Sequence, residues 1–163
     1  MAELLFTSSL DPIHEGDEFP KGTSLPRHVT VWQYFDLPDF HMNEFIAESG
    51  EAIEAFPTLG VEGAEYAEFG PNNDVPVRRL KVLGQHATLL SLHASLGAVI
   101  QKYDAVIPHP EWAYDGYNPH ITYKDGRALE EGEFALLHSV ELIQKHADTK
   151  SKVVRKIWEL GDV

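Results

Sequence analysis

The chain contains no cysteine among its 163 residues, which excludes disulfides, thiolate nucleophiles and Cys-ligated zinc or iron–sulfur centres. Basic charge is scarce: 13 Lys and Arg face 26 Asp and Glu, a formal net charge of −13 at pH 7. A protein that binds long nucleic acid needs a basic stripe, and the sequence shows none. The acidity leaves room for a small anionic partner, because a few local donors outweigh a global field screened beyond about 10 Å. Any nucleotide chemistry should therefore involve something small or a chain terminus. No run of 18 apolar residues is present, so no membrane-spanning helix is expected. Residues 1–10 lack a basic start and a long apolar stretch, which predicts no signal peptide and a cytoplasmic, monomeric protein.

What is there reads as an ordinary globular chain. Hydrophobic residues make up 43% and charged residues 24%, close to average usage. No low-complexity segment or linker divides it, so residues 1–163 are expected to form a single domain. Alternating apolar positions predict strands over 6–10, 28–35, 60–69, 75–83, 120–124, 138–145 and 152–160. Met42, Phe45, Ile46, Ser49, Ile53 and Phe56 recur at helical spacing, and Leu89, Leu92, His93, Leu96, Val99, Ile100 and Tyr103 do so within 85–103. Gly70-Pro71-Asn72-Asn73-Asp74 spells a turn. Two helices among hairpin-capable strands point to an α+β protein, antiparallel sheet with helices on one side.

Nine histidines in an acidic chain need an explanation. For a metal, paired ligands are wanted. His86 and His93, read as one helix face, stand two turns or roughly 10 Å apart, too far to share an ion. No H-E-x-x-H or carboxylate-rich loop is present, so neither a metal site nor any other cofactor is expected. The pattern His-x-Thr/Ser occurs four times, at His28-Val29-Thr30, His86-Ala87-Thr88, His93-Ala94-Ser95 and His120-Ile121-Thr122. In a helix, residues i and i+2 diverge, which sets aside His86 and His93 and marks His93, on the apolar stripe, as a core residue. In a strand they share a face. Burying Val29 and Val31 turns His28, Thr30 and Trp32 the other way, and burying Ile121 and Tyr123 does the same for His120, Thr122 and Lys124. Two such strands flanking a cleft would offer two proton-transfer groups and two hydroxyl donors. The plainer alternative is a pair of half-polar strands.

The two elements PRHVTVW and NPHITYK, with their histidines 92 residues apart, resemble the paired H-x-[ST]-x signature of the 2H phosphoesterase superfamily, which includes the 2′-5′ RNA ligase-like proteins. The resemblance extends over nearly the whole chain and is specific as a pair. It implies a bilobal α+β fold with a pseudo-twofold axis, two antiparallel sheets flanking a central groove and helices packed outside. It also implies that His28, Thr30, His120 and Thr122 line the groove and carry metal-independent acid–base cleavage of a phosphodiester. Trp32, Lys124, Tyr117 and Arg27 are expected substrate-binding residues: two cations beside the motifs and two aromatics able to stack on a base. For each aromatic the alternative is ordinary packing. Expected substrates are a small nucleotide or an RNA terminus, of the 2′,3′-cyclic phosphate type. The rival readings are a phage-type nuclease for cyclic-oligonucleotide signals and a non-catalytic nucleotide-binding module.

Overall fold

Backbone pairing organises the chain into nine strands and two α-helices in the computed structural model, which describes residues 1–161. In chain order these are β1 (Ala2–Ser9), β2 (Glu18–Phe19), β3 (His28–Leu37), α1 (Met42–Glu54), β4 (Leu59–Phe69), β5 (Val75–Val82), α2 (Leu89–Lys102), β6 (His120–Thr122), β7 (Phe134–Leu137), β8 (Ser139–Lys145) and β9 (Lys152–Glu159). The strands lie in the order β2-β9-β8-β1-β3-β6-β5-β4-β7, with antiparallel neighbours throughout. The α+β class expected from the sequence is observed. The two expected sheets are joined edge to edge into one, through the short contact between β3 and β6.

Both helices pack on one face. Helix α1 buries Phe45, Ser49 and Ile53, spaced by four residues, and contacts β9 and α2. Helix α2 buries Leu89, Leu92, His93, Leu96 and Ile100 and leans on β3. Between helices and sheet lies the main core, which includes Phe6, Trp32, Phe35, Phe45 and Trp158. A smaller cluster, Leu5, Leu25, Ile143 and Val154, sits on the helix-free face under the 11–26 loop. Strand β1 is therefore apolar on both sides. It lacks the polar alternation that marks a one-sided strand, which is why the sequence pattern predicts only its end.

Two features place the functional elements differently from the sequence reading. Helix α2 begins at Leu89, because Thr88 and Ser91 form a reciprocal cap: the Ser91 backbone N–H donates to Thr88 Oγ1 at 3.3 Å, and the Thr88 N–H donates to Ser91 Oγ at 2.7 Å. His86 thus lies in the loop before the helix, not on it. The second feature is a β-bulge. Thr30 pairs with Thr7 but Trp32 with Phe6, so Val31 is an extra residue on β3. Trp32 is thereby moved from the Thr30 face to the Phe6 face.

Candidate active site

Strands β3 and β6 meet at a single pair, Val29↔Ile121, both fully buried. Antiparallel geometry does the rest. With Val29 opposite Ile121 and both pointing into the core, His28 falls opposite Thr122 and Thr30 opposite His120, all on the other face. Directly opposed residues are about 5 Å apart and diagonal ones about 7–8 Å. The two histidines occupy one diagonal of this square and the two threonines the other. His28, Thr30 and His120 are half-buried, while Thr122 is exposed.

The two imidazoles are held alike. His28 Nδ1 lies 2.7 Å from the Pro26 carbonyl, and His120 Nδ1 lies 2.7 Å from the Asn118 carbonyl, each two residues upstream. A carbonyl only accepts, so each Nδ1 carries the proton, and in the neutral ring Nε2 is left with its lone pair. Burial pushes both histidines below the ordinary imidazole value, and their carbonyl partners partly oppose it. The charges of His120, Lys152 and Lys124 lower His28 further, and Arg79 lowers His120.

One cavity opens directly on the square, and a second lies among residues next to the motifs in sequence. The first, on the Thr30–His120 side, has about 650 Å³ and is lined by Gln33, Phe69, Asn73, Trp112, Tyr117 and Asn118, among others. The Phe69 ring meets His120 edge-on, with centroids 4.7 Å apart. Tyr117 donates its hydroxyl to the Thr30 carbonyl at 2.8 Å and stacks on His93, centroids 4.1 Å apart. His93 is stacked on its other side by Trp32 at 4.4 Å. Its Nδ1 donates to the Val31 carbonyl at 2.7 Å, so Nε2 is free to accept the Tyr114 backbone N–H at 2.9 Å. His93 thus ties the 110–117 segment, one wall of the cavity, to β3. A second cavity of about 310 Å³ lies among Phe19, Ser24, Pro26, Arg27, Lys124 and Arg127 and is lined by neither His28 nor Thr122.

The expected binding residues fare differently. Trp32 is a correction: it is 1% exposed, and its Nε1 donates to the His93 carbonyl at 2.6 Å. The bulge at Val31 puts it in the core, where it supports His93 and cannot stack on a ligand. Tyr117 lines the larger cavity. Arg27 lies beside the smaller one but grips Asp11 through Nε at 3.2 Å and Nη2 at 3.0 Å, while Nη1 donates to the Ala128 carbonyl. Lys124 donates to the Ser24 carbonyl and hydroxyl. His93 is buried, as the apolar stripe predicts. Phe69, Gln33 and Asn118 were not legible as site residues. The 70–74 turn was visible in the sequence, but nothing there says that it brings Phe69 to His120. Among the described residues no group of three or more His, Asp or Glu lies close enough to hold a metal ion.

No protein-family model matches the chain, and no curated protein does. Solved structures are similar over nearly its full length. One described as a phosphoesterase superposes with a TM-score of 0.66 at 13% identity, covering 99% of this chain and 100% of the other. TT0787 of Thermus thermophilus gives 0.63 at 14% identity and 98% of both chains. E. coli LigT in complex with 3′-AMP gives 0.61 at 15% identity and 99% of both. The backbone arrangement, the two strand-borne His-x-Thr elements and these likenesses agree: the chain has the fold of the 2H phosphoesterases.

Proposed function

We propose that the protein is a phosphodiesterase that cleaves a small 2′-hydroxyl-derived or cyclic nucleotide phosphodiester, of the 2′,3′-cyclic phosphate type, by acid–base catalysis between His28 and His120. The reading rests above all on the Val29↔Ile121 pairing together with the matching Nδ1 bonds, which leave two imidazole Nε2 atoms for one phosphorus. One neutral histidine takes a proton from water as the water oxygen bonds to phosphorus. The other, protonated, gives its Nε2 proton to the ribose oxygen as the P–O bond breaks. Water is thereby added across that bond, and each transfer is worth roughly 10²–10⁴-fold. Thr30 and Thr122 donate hydroxyl hydrogen bonds to the non-bridging oxygens, where charge is redistributed in the transition state. The aromatic and amide lining of the larger cavity suits a base. E. coli LigT has been crystallised with 3′-AMP and with phosphate, and a 3′-monophosphate is one of the two products that opening a 2′,3′-cyclic phosphate can give.

All of these proton transfers use side chains, so the proposed reaction is metal-independent. The test is turnover of a nucleotide panel in EDTA, followed by product analysis. Hydrolysis of a 2′,3′-cyclic nucleotide to a monophosphate supports the reading. Tight binding without turnover would make the protein a nucleotide-sequestering module, and activity extinguished by EDTA would return the reaction to a metal.

A further inference from the structure

We infer that Arg79 is a positioning residue for His120: from β5 it supplies a fixed charge and, through Phe69, an aromatic contact that set the place and charge state of that imidazole. This rests on the acid–base reading and specifies what makes its two histidines unequal. Sheet geometry brings the pair together. Arg79 lies directly opposite His120 in the β5–β6 ladder. The Leu80 N–H donates to the Pro119 carbonyl at 3.0 Å, and the Tyr123 N–H to the Pro76 carbonyl at 3.1 Å. By the alternation of an antiparallel ladder, Arg79↔His120 is then a non-hydrogen-bonded pair, the closer of the two kinds. Such residues have Cα atoms about 4.5 Å apart and side chains on one face. Phe69, at the end of β4, completes a triangle. The Arg79 guanidinium carbon lies 5.0 Å from the Phe69 ring centroid, and that ring meets His120 at 77° with centroids 4.7 Å apart. Glu65 holds Arg79 Nε at 3.4 Å. A guanidinium seated on an aromatic face and gripped by a carboxylate keeps one position instead of ranging through solvent.

His28 has a different neighbour in the matching place. Strand β1 flanks β3 as β5 flanks β6, and there Ser9 stands opposite His28. Its hydroxyl donates to the Asp11 carbonyl at 2.6 Å, so it brings neither a charge nor a ring to the imidazole. The motif strands, alike in sequence and in their Nδ1 bonds, thus differ in what the outer strand sets beside each histidine. The charged and titratable groups around His120 come from several elements. They are Arg79 on β5, His28 on β3, Glu68 on the β4 wall of the cavity, and Tyr117, which burial keeps protonated. Glu65 reaches it through Arg79, and Lys124, four residues on, is turned to Ser24. Burial lowers the His120 pKa, the Asn118 carbonyl opposes it, and the charge of Arg79 lowers it further.

The test is an NMR titration of both histidines in wild type, Arg79→Met, Arg79→Gln, Arg79→Lys and Lys81→Met, with the pH profile of kcat/KM on a 2′,3′-cyclic nucleotide taken alongside. Arg79→Met keeps an apolar stem against Phe69 and removes the charge. His120 is expected to titrate at least about 0.3 pH units higher, and His28 to move less than half as far. Arg79→Gln, which stays polar, should do the same, and Arg79→Lys should return His120 to near its wild-type value. Lys81→Met removes a like charge from the same face of β5, about 7 Å further along, and should move His120 less than half as far. In Arg79→Met the limb of the kcat/KM bell that follows His120 should shift with the NMR value. An unmoved His120, an equal shift at His28 or in Lys81→Met, or a shift that Arg79→Lys fails to reverse overturns the assignment. If no cyclic nucleotide is hydrolysed, the phosphodiesterase reading fails on its own account, and the titrations still decide the role of Arg79.

Discussion

At the scale of single residues, His28 and His120 carry the sharpest expectations. Replacing either by Ala should lower kcat at least about 10²-fold, and the double variant should lose less than the product of the two. Thr30→Ala or Thr122→Ala removes one of the proposed donors to a charged phosphate and should cost about 1.5–3 kcal/mol, roughly 10–150-fold in kcat/KM. His86→Ala, outside both strands, should leave turnover near wild type. If His86→Ala abolished activity while His28→Ala spared it, the assignment would be wrong. Both site histidines sit below the ordinary imidazole value of 6.5. The proposed reaction needs one of them protonated, and that form is depleted above its lowered pKa. The bell of kcat/KM against pH should therefore peak on the acid side of 6.5. Lys124→Ala removes a positive charge that disfavours the imidazolium of His28. An NMR titration should show the His28 pKa rise in this variant; a fall or no movement would contradict the electrostatic account.

At the scale of elements, the segment 110–117 is held by an imidazole that works only when neutral. Trp32 and Tyr117 cover its two ring faces, Tyr114 meets it edge-on, and the Val31 carbonyl and Tyr114 N–H take its nitrogens. Gly97 of α2 lets this arrangement close, since a Cβ there would lie 2.5 Å from the Tyr114 hydroxyl. Protonating His93 would set an N–H against the Tyr114 N–H. Burial accordingly lowers the His93 pKa. A histidine with a lowered folded-state pKa supplies stability that is complete above 6.5 and is lost as pH falls toward the folded value. Hydrogen exchange at the Tyr114 amide, corrected for its intrinsic rate, should show protection falling between pH 7 and pH 5. Unchanged protection would mean that this bond does not hold the wall.

At the scale of the whole molecule, a second titration opposes the first. Glu141 is fully buried in the sheet; it accepts hydrogen bonds from the Thr7 hydroxyl at 3.1 Å and the Ser139 hydroxyl at 2.8 Å. Burial pushes its carboxyl up to about 7, from 4.5, against the pull of those bonds. Because the folded-state value is raised, stability is greatest when both states are protonated. It declines as pH rises from about 4.5 to about 7, by about 3 kcal/mol in all. Glu141→Gln keeps the shape without the charge. Denaturant unfolding should show the variant gaining on wild type between pH 5 and pH 8. A constant difference across that range would refute the raised carboxyl. Cross-strand pairing places Glu141 beside Thr7 and Thr7 beside Thr30, so this carboxyl lies on the same face as the candidate site.

Local pattern was enough for the direction of most side chains. Alternation around Val29 and Ile121 shows that His28 with Thr30, and His120 with Thr122, leave their strands on one side. The apolar stripe of α2 shows that His93 goes inward. The turn at 70–74 and the hairpin between β8 and β9 follow from composition. Whatever depends on which strand lies next to which emerged only in the folded chain. A pairing such as Val29↔Ile121 joins segments far apart in the chain, and no periodicity within either segment encodes it. Trp32 shows the same limit within a single strand: one extra residue at Val31 reverses its face, and the bulge exists only relative to the partner Thr7–Phe6. The edge strand β7 escaped notice because Phe134 and Leu136 face outward, against the usual polar-out pattern. Side-chain direction follows from local alternation only where a strand is regular; adjacency, and the bulge that reverses a face, are settled by burial and hydrogen bonding summed over the whole sheet.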